Sequence, residues 1–402
     1  MPFFNFHTAG HLLFGSGAVG RLGERARLLE IEKILVVTDP VLKQAGLVDR
    51  VTGPLQEAGI RTEVYDGGEP EPSLQVANAA AEAARVAGMQ AVLGLGGGSN
   101  LDVAKAAAAI LAHGGSAVDY MGVNTVPGPV CPLIAIPTTA GTGSEVSQAV
   151  ILTDEQAGIK LAGQSDHFRP ALALVDPELT MTCPSKVTAD SGIDALTHAI
   201  EAYTNVDYRE FPARLKKGEA SPFDGNHPLG DALAEKAIKL IGENLRRAVL
   251  EPVNLQAREG MALAATLAGM AFSTCGVAVV HALEYPIGAA MHISHGEGNG
   301  QLLPFVMRYN MPYCRERIVR VGQLLGAEVA GLSAAQAAEK SIEEVAKLSR
   351  DIGIPQRLRD FGVTEDMLEG FSRKSYTIKR LMRINPRVPT QQELLGILQD
   401  AF

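Results

Sequence analysis

Between Lys33 and about Val150, short β-branched runs alternate with longer alanine-rich stretches, a rhythm that few folds accommodate. Residues 33–38 (KILVVT), 61–65 (RTEVY), 91–95 (AVLGL) and 132–136 (PLIAI) have the length and composition of strands. Residues 72–87 and 101–112 read as helices between them. Strand and helix taken in turn build a mostly parallel sheet with helices on both faces. After Asp176 and Pro177 the rhythm is lost, and helical spacing governs residues 189–402, most clearly at 231–250, 255–272 and 334–352. A chain of 402 residues has room for two domains, and the change of character divides it into an α/β domain over 1–184 and an all-helical domain over 185–402. Residues 3–14 read as an edge hairpin turning at Thr8-Ala9-Gly10. Residues 207–228, rich in Pro, Gly, Lys and Glu, read as a surface loop of about 20 residues, a length usually tied to function.

Charge and cysteine usage exclude several classes. Lys and Arg total 36 against 45 Asp and Glu, a net −9, so no chain-wide basic field exists to hold nucleic acid. Cys131, Cys183, Cys275 and Cys314 stand far apart with no C-x-x-C spacing. That argues against a disulfide framework and a thiolate zinc knuckle, and it fits a reducing, cytoplasmic setting. The start, MPFFNFHTAGHLLFG, lacks the basic segment of a secretory signal. The most apolar stretch, 261–280, is interrupted by Thr266, Ser273, Thr274 and Gly276 and is expected to be a buried core helix, with no membrane partner.

The first chemical motif is LGLGGGSNLDVAK at 93–105, a strand running through Gly96, Gly97 and Gly98 to Ser99 or Asn100 at a helix N-cap position. Glycines let backbone amides come close to an anion, and the helix N-terminus adds partial positive charge, which suits a pyrophosphate. The same residues also make a tight structural turn. The pattern is not G-x-G-x-x-G, because Ser99 stands at the last glycine position. Asp39, just past a strand, suits a ribose diol and repels a 2′-phosphate, favouring NAD over NADP. PTTAGTGSEV at 137–146 is a second Thr/Gly-rich loop after a strand, with hydroxyls for phosphate or nicotinamide-amide contacts.

The helical half supplies metal candidates. In DSGIDALTHAIEAY (190–203), Asp194 and His198 are four apart and project from one helix face. His281 lies in VVHALEYP, and His292 and His295 in MHISHGEG, so five of the nine histidines fall between His198 and His295. One carboxylate with three imidazoles suits Fe(II) or Zn(II), zinc binding more tightly and iron depending on supply. Spacing leaves His292 and His295 as alternatives for the last ligand.

Taken together, GGGSNLDVAK, PTTAGTGSEV, DSGIDALTHAIEAY and VVHALEYPIGAAMHISHGEGNG closely resemble the iron-containing (group III) alcohol dehydrogenase family, over nearly the whole chain. The resemblance implies a Rossmann-like N-terminal domain and an all-helical C-terminal domain in a dehydroquinate synthase-like architecture, with the active site in the cleft between them. By resemblance the metal ligands are Asp194, His198, His281 and His295, leaving His292 as a supporting or packing residue. The cofactor contacts carry over to Asp39, Gly97, Gly98, Ser99, Asp102, Thr138, Thr139, Thr142, Ser147 and Lys160. Asp102 is expected in a first helical turn, where an acid complements the dipole. Tyr285 stands where many members have a histidine, Glu71 where many have asparagine, and GGGSN where many have GGGSP.

The expected reaction is NAD-linked, metal-dependent interconversion of small primary alcohols or hydroxyacids and their carbonyl products by hydride transfer. Tyr285 or a ribose hydroxyl would pass the proton outward, and Phe272 would wall the substrate pocket. Tyr285 and the loop at 207–228 also resemble the hydroxyacid–oxoacid transhydrogenase branch, which cycles a tightly held NAD between a 4-hydroxyacid and a 2-oxoacid. The family further implies a homodimer or larger homo-oligomer.

Overall fold

The computed structural model describes residues 3–402, which divide into two compact units: residues 7–183, and residues 184–402 joined by residues 3–6. The first unit is built on strands β1 (Leu12–Phe14), β2 (Lys33–Val37), β3 (Arg61–Tyr65), β4 (Ala91–Gly96), β5 (Gly122–Val123), β6 (Leu133–Pro137), β7 (Ala149–Asp154), β8 (Ile159–Gln164) and β9 (Leu172–Val175). Six of these form a sheet in the order β1-β9-β6-β4-β2-β3 with every pairing parallel. A smaller sheet, β5-β8-β7, pairs β7 and β8 antiparallel.

Its helices are α1 (Leu22–Leu28), α2 (Pro40–Gln44), α3 (Leu47–Glu57), α4 (Leu74–Val86) and α5 (Gly98–His113). The continuous apolar run of β2 has a simple cause. Ile34 and Val36 pack with Leu22, Ala26, Val51 and Leu55 of α1 and α3, while Leu35 and Val37 pack with alanines of α4 and α5. Both faces are covered, so no polar alternation is needed. Where α5 crosses β4, a Cβ on Gly94 would lie 2.9 Å from that of Ala104, so the glycine admits the helix that starts at the triple-glycine turn.

The second unit consists of α6 (Ser185–Thr204), α7 (Pro228–Leu250), α8 (Leu255–Cys275), α9 (Val279–Met291), α10 (His295–Leu324), α11 (Ala334–Asp351), α12 (Met367–Tyr376), α13 (Lys379–Ile384) and α14 (Gln391–Ala401). No single helix among the described residues is long and apolar enough to cross a membrane.

Three local expectations are corrected. Residues 3–14 form no hairpin: Gly10 N donates to Pro170 O (2.9 Å) and β1 joins β9 in parallel, because the sheet edge supplies the partners a hairpin would have supplied internally. The segment 207–228 is not wholly superficial, since Phe211, Phe223 and Asn226 are buried. The apolar stretch 261–280 is not one helix: at Gly276 (φ +87°) the chain breaks, and α8 and α9 meet at 106°.

Candidate metal centre and nucleotide loop

Helix α6 carries Asp194, His198, Glu201 and, at its end, Asn205, positions separated by four, three and four residues and therefore on one face. All four are buried. Asn205 Nδ2 donates to the carbonyls of Cys275 (3.0 Å) and Gly276 (2.8 Å), satisfying the open end of α8. Glu201 accepts from Ala278 N (2.8 Å) and Val280 N (2.7 Å), satisfying the start of α9. The same face of α6 thus fixes the break that delivers His281. Helix α10 approaches α6 through glycines. A Cβ on Gly296 would stand 2.7 Å from the carbonyl carbon of Asp190, and one on Gly300 2.7 Å from Ile193 Cγ1. That close approach sets His295 and Asn299 beside Asp194.

Asp194, His281 and His295 each offer one ligand atom, and these atoms lie within 4.8 Å of one another. His198 Nε2 is 3.8 Å from Asp194 Oδ2, and its ring is stacked between Phe272 (centroids 4.4 Å) and His281 (4.9 Å). Tyr285 stacks on His295 at 5.7 Å and stands edge-on to His281 at 6.3 Å. Asn299 Nδ2 donates to Asp194 Oδ1 (2.8 Å) and lies 3.3 Å from His281 Nε2 and 3.1 Å from His295 Nε2. Behind the rings, Glu201 Oε2 meets His281 Nδ1 at 2.6 Å, and Glu284 Oε2 meets His295 Nδ1.

Burial works against the Asp194 carboxylate, but His198, His295 and His281 outweigh it and hold its pKa below the usual value. Burial pushes the His198 imidazole down to about 4, so it is neutral at physiological pH. One carboxylate and the imidazoles converging on a point where a single donor, Asn299 Nδ2, now sits are a donor set that fits a divalent transition metal. His292 lies outside this cluster. It is exposed and terminates α9 in the left-handed region (φ +53°), so it does not pack there.

In the first unit, α5 begins at Gly98 with Gly97 as its N-cap, so neither Ser99 nor Asn100 caps it. A Cβ on Gly97 would lie 3.5 Å from Thr139 Oγ1, and one on Gly98 2.7 Å from Thr142 Cγ2. The second loop therefore lies directly against the triple-glycine turn, and Thr138 N donates to Gly96 O (2.9 Å). Asp39 caps α2 by accepting from Val41 N and Leu42 N (both 2.9 Å), while its other oxygen accepts from Asn100 Nδ2 (2.7 Å). Asp102 is in the second turn, not the first. Its oxygens accept from Ser144 Oγ (2.7 Å) and Ile151 N (2.9 Å), and burial raises its pKa. Lys105, fully buried, donates to Ser144 Oγ (2.8 Å), Ser147 O (3.1 Å) and Ala149 O (2.9 Å), and Ser147 Oγ lies 3.3 Å away. Lys160 on β8 pairs with Glu71.

Sequence reasoning missed Glu201, Glu284, Asn299 and Lys105. Helical spacing from the histidines, three residues from His198 to Glu201 and from His281 to Glu284 and four from His295 to Asn299, was the available signal.

Residues 9–177 match the family model described as iron-containing alcohol dehydrogenase, and residues 222–402 match the C-terminal model of the same family. The chain is 41% identical to long-chain-alcohol dehydrogenase 1 of Geobacillus thermodenitrificans, over 96% of this chain and 94% of that one. It is 35% identical to the NAD-dependent methanol dehydrogenase of Bacillus methanolicus, over 99% and 100%. A solved 1,3-propanediol oxidoreductase superposes with a TM-score of 0.92 at 37% identity, covering both chains completely.

Proposed function

This chain belongs to the iron-containing alcohol dehydrogenase family, and on that footing we propose that it interconverts small primary alcohols and aldehydes with Fe(II) and NAD. What supports the metal assignment is the convergence of Asp194, His281 and His295 on one point, with His198 alongside. An ion held by these four would supply Lewis acidity that lowers the pKa of a substrate hydroxyl. Asp194 is the one anion among them and neutralises only half of a divalent charge. Zn(II) fits the same donors, and iron would be the working metal where supply favours it.

The chain's own groups do the rest. The rings of Phe272 and Tyr285 stack on His198 and His295, where they would shield the inner site from water. Burial keeps the Tyr285 hydroxyl protonated, with its pKa pushed up to about 12, so it could donate one hydrogen bond while accepting another and so pass the substrate's proton outward. Gly97, Gly98 and Ser99 at the start of α5, with Thr139 and Thr142 against them, would take the pyrophosphate of NAD. Asp39 would take the ribose. Thr138, Asp102, Ser147 and Lys160 would shape this site from behind, since their polar groups or backbone are engaged with the protein. The relatives' names favour alcohols over the hydroxyacid–oxoacid pair. Four cysteines standing far apart with no C-x-x-C spacing accord with a cytoplasmic enzyme.

The test is NADH formation from short primary alcohols by metal-stripped protein, before and after addition of Fe(II) or Zn(II). Activity is expected to return with metal. Equal rates with and without metal would overturn the assignment.

A further inference from the structure

We propose that Glu201 and Glu284 are positioning residues that set the ligating tautomer of His281 and His295 before an ion binds, and so tie the three metal-bearing helices in series. The inference rests on the metal centre proposed above. Both oxygens of Glu201 already accept from backbone N–H groups, so in its 2.6 Å contact with His281 Nδ1 the carboxylate is the acceptor, and Nδ1 carries the proton and leaves the lone pair on Nε2. The opposite edge of the ring agrees. Nε2 lies 3.3 Å from Asn299 Nδ2, whose two N–H groups are shared among Asp194 Oδ1 and the two imidazoles, an arrangement compatible with an accepting Nε2. His295 repeats the arrangement, with Glu284 at Nδ1 and Asn299 Nδ2 3.1 Å from Nε2. Both rings therefore turn an unprotonated Nε2 toward Asp194.

The connections run from helix to helix. Glu201 of α6 holds His281 of α9, and Glu284 of α9 holds His295 of α10. Both carboxylates are buried, where an unpartnered charge would be costly. Glu201 also accepts from the backbone of Ala278 and Val280, so one side chain aims both the ring of His281 and the helix end that carries it. His198 has no such anchor. Its Nδ1 is buried without a hydrogen-bond partner, and its ring is oriented by stacking on Phe272 and His281. The site thus has two imidazoles fixed by carboxylates and one held by packing.

Two measurements test this. Nitrogen-15 spectra of histidine in the metal-stripped wild-type protein are expected to show His281 and His295 protonated at Nδ1, and an Nε2-protonated form of either ring would overturn the inference. Next, Glu201→Gln and Glu284→Gln keep the shape but remove the charge. Competition with a chromophoric chelator for Zn(II) is expected to show about 10–100-fold weaker binding in each. Affinity within twofold of wild type in both variants would overturn it. Should either variant fail to fold, the wild-type spectra decide. His281→Ala separates the two levels of the reading. If it keeps wild-type affinity, the metal centre itself is refuted; if it loses the ion while Glu201→Gln and Glu284→Gln keep it, only the positioning roles are.

Discussion

Replacing Gly296 by alanine tests whether the close approach of α6 and α10 is what makes the centre. The added Cβ would lie 2.7 Å from the carbonyl carbon of Asp190 and 3.0 Å from Asp194 Cβ. Carbon atoms rest about 3.5–4.0 Å apart, so the helices must separate by roughly 1 Å. The stability effect is modest. Overpacking costs about 1–3 kcal/mol, against a helix-propensity gain of up to about 1 kcal/mol. Metal binding suffers more, because a usable site holds its distances to within about 0.2 Å, and His295 directly precedes the substituted residue. Affinity is expected to fall by more than the roughly 10–100-fold typical of losing an outer partner. Chelator competition reads the affinity, and urea unfolding of the metal-free protein reads the stability. Gly396→Ala in α14, where an added Cβ meets nothing within 4 Å, is the control. It should stabilise the protein by about 0.4–1 kcal/mol and leave metal binding alone. Wild-type affinity in Gly296→Ala would refute the reasoning.

His281→Ala should abolish tight metal binding while His292→Ala retains it, as read by elemental analysis after dialysis; loss of metal from His292→Ala would refute the reading that His292 lies outside the ligand set. Lys105→Met leaves Asp102 buried without its cation and should cost about 3–5 kcal/mol in urea unfolding. Burial lowers the Lys105 pKa from 10.5 to about 8, partly opposed by Asp102 and Glu145. Between those values the unfolded chain holds a proton that the folded chain has released, so Lys105 favours folding more as pH rises from about 8 to 10.5. The wild-type minus Lys105→Met difference in unfolding free energy should therefore grow across that window, and a flat difference would count against the burial. Asp39→Ala should cost about 1 kcal/mol through loss of the α2 cap and should narrow the kcat/KM preference for NAD over NADP; an unchanged preference would remove Asp39 from the ribose site.

The fold was legible where each residue's role depends on near neighbours. In β2 the run KILVV announces a strand covered on both sides, and the structure supplies a different helix pair for each face. Legibility failed where local pattern and distant partner disagree. Residues 3–14 carry a hairpin's turn, yet β1 finds its hydrogen bonds on Leu172–Val175, far along the chain. Residues 261–280 carry one helix's hydropathy, yet Gly276 in the left-handed region and the polar groups of α6 convert them into two.

The same distinction sorts the residues of the centre. Asp194 and His198 share a helix face by spacing, and histidine is uncommon enough in this chain for the type to carry information. Glu201 lies one turn further along that face, but a glutamate in a helix ordinarily means a solvated surface. Only its burial, and a partner 80 residues away, give it another meaning. Sequence spacing finds groups whose residue type already marks them as metal donors. The groups that aim them are ordinary carboxylates and amides, whose significance arises when Gly296 and Gly300 bring α10 against α6 and water is excluded around them. A substitution at such a glycine should therefore disturb the metal while changing none of its ligands, and that result would separate placement from composition at this site.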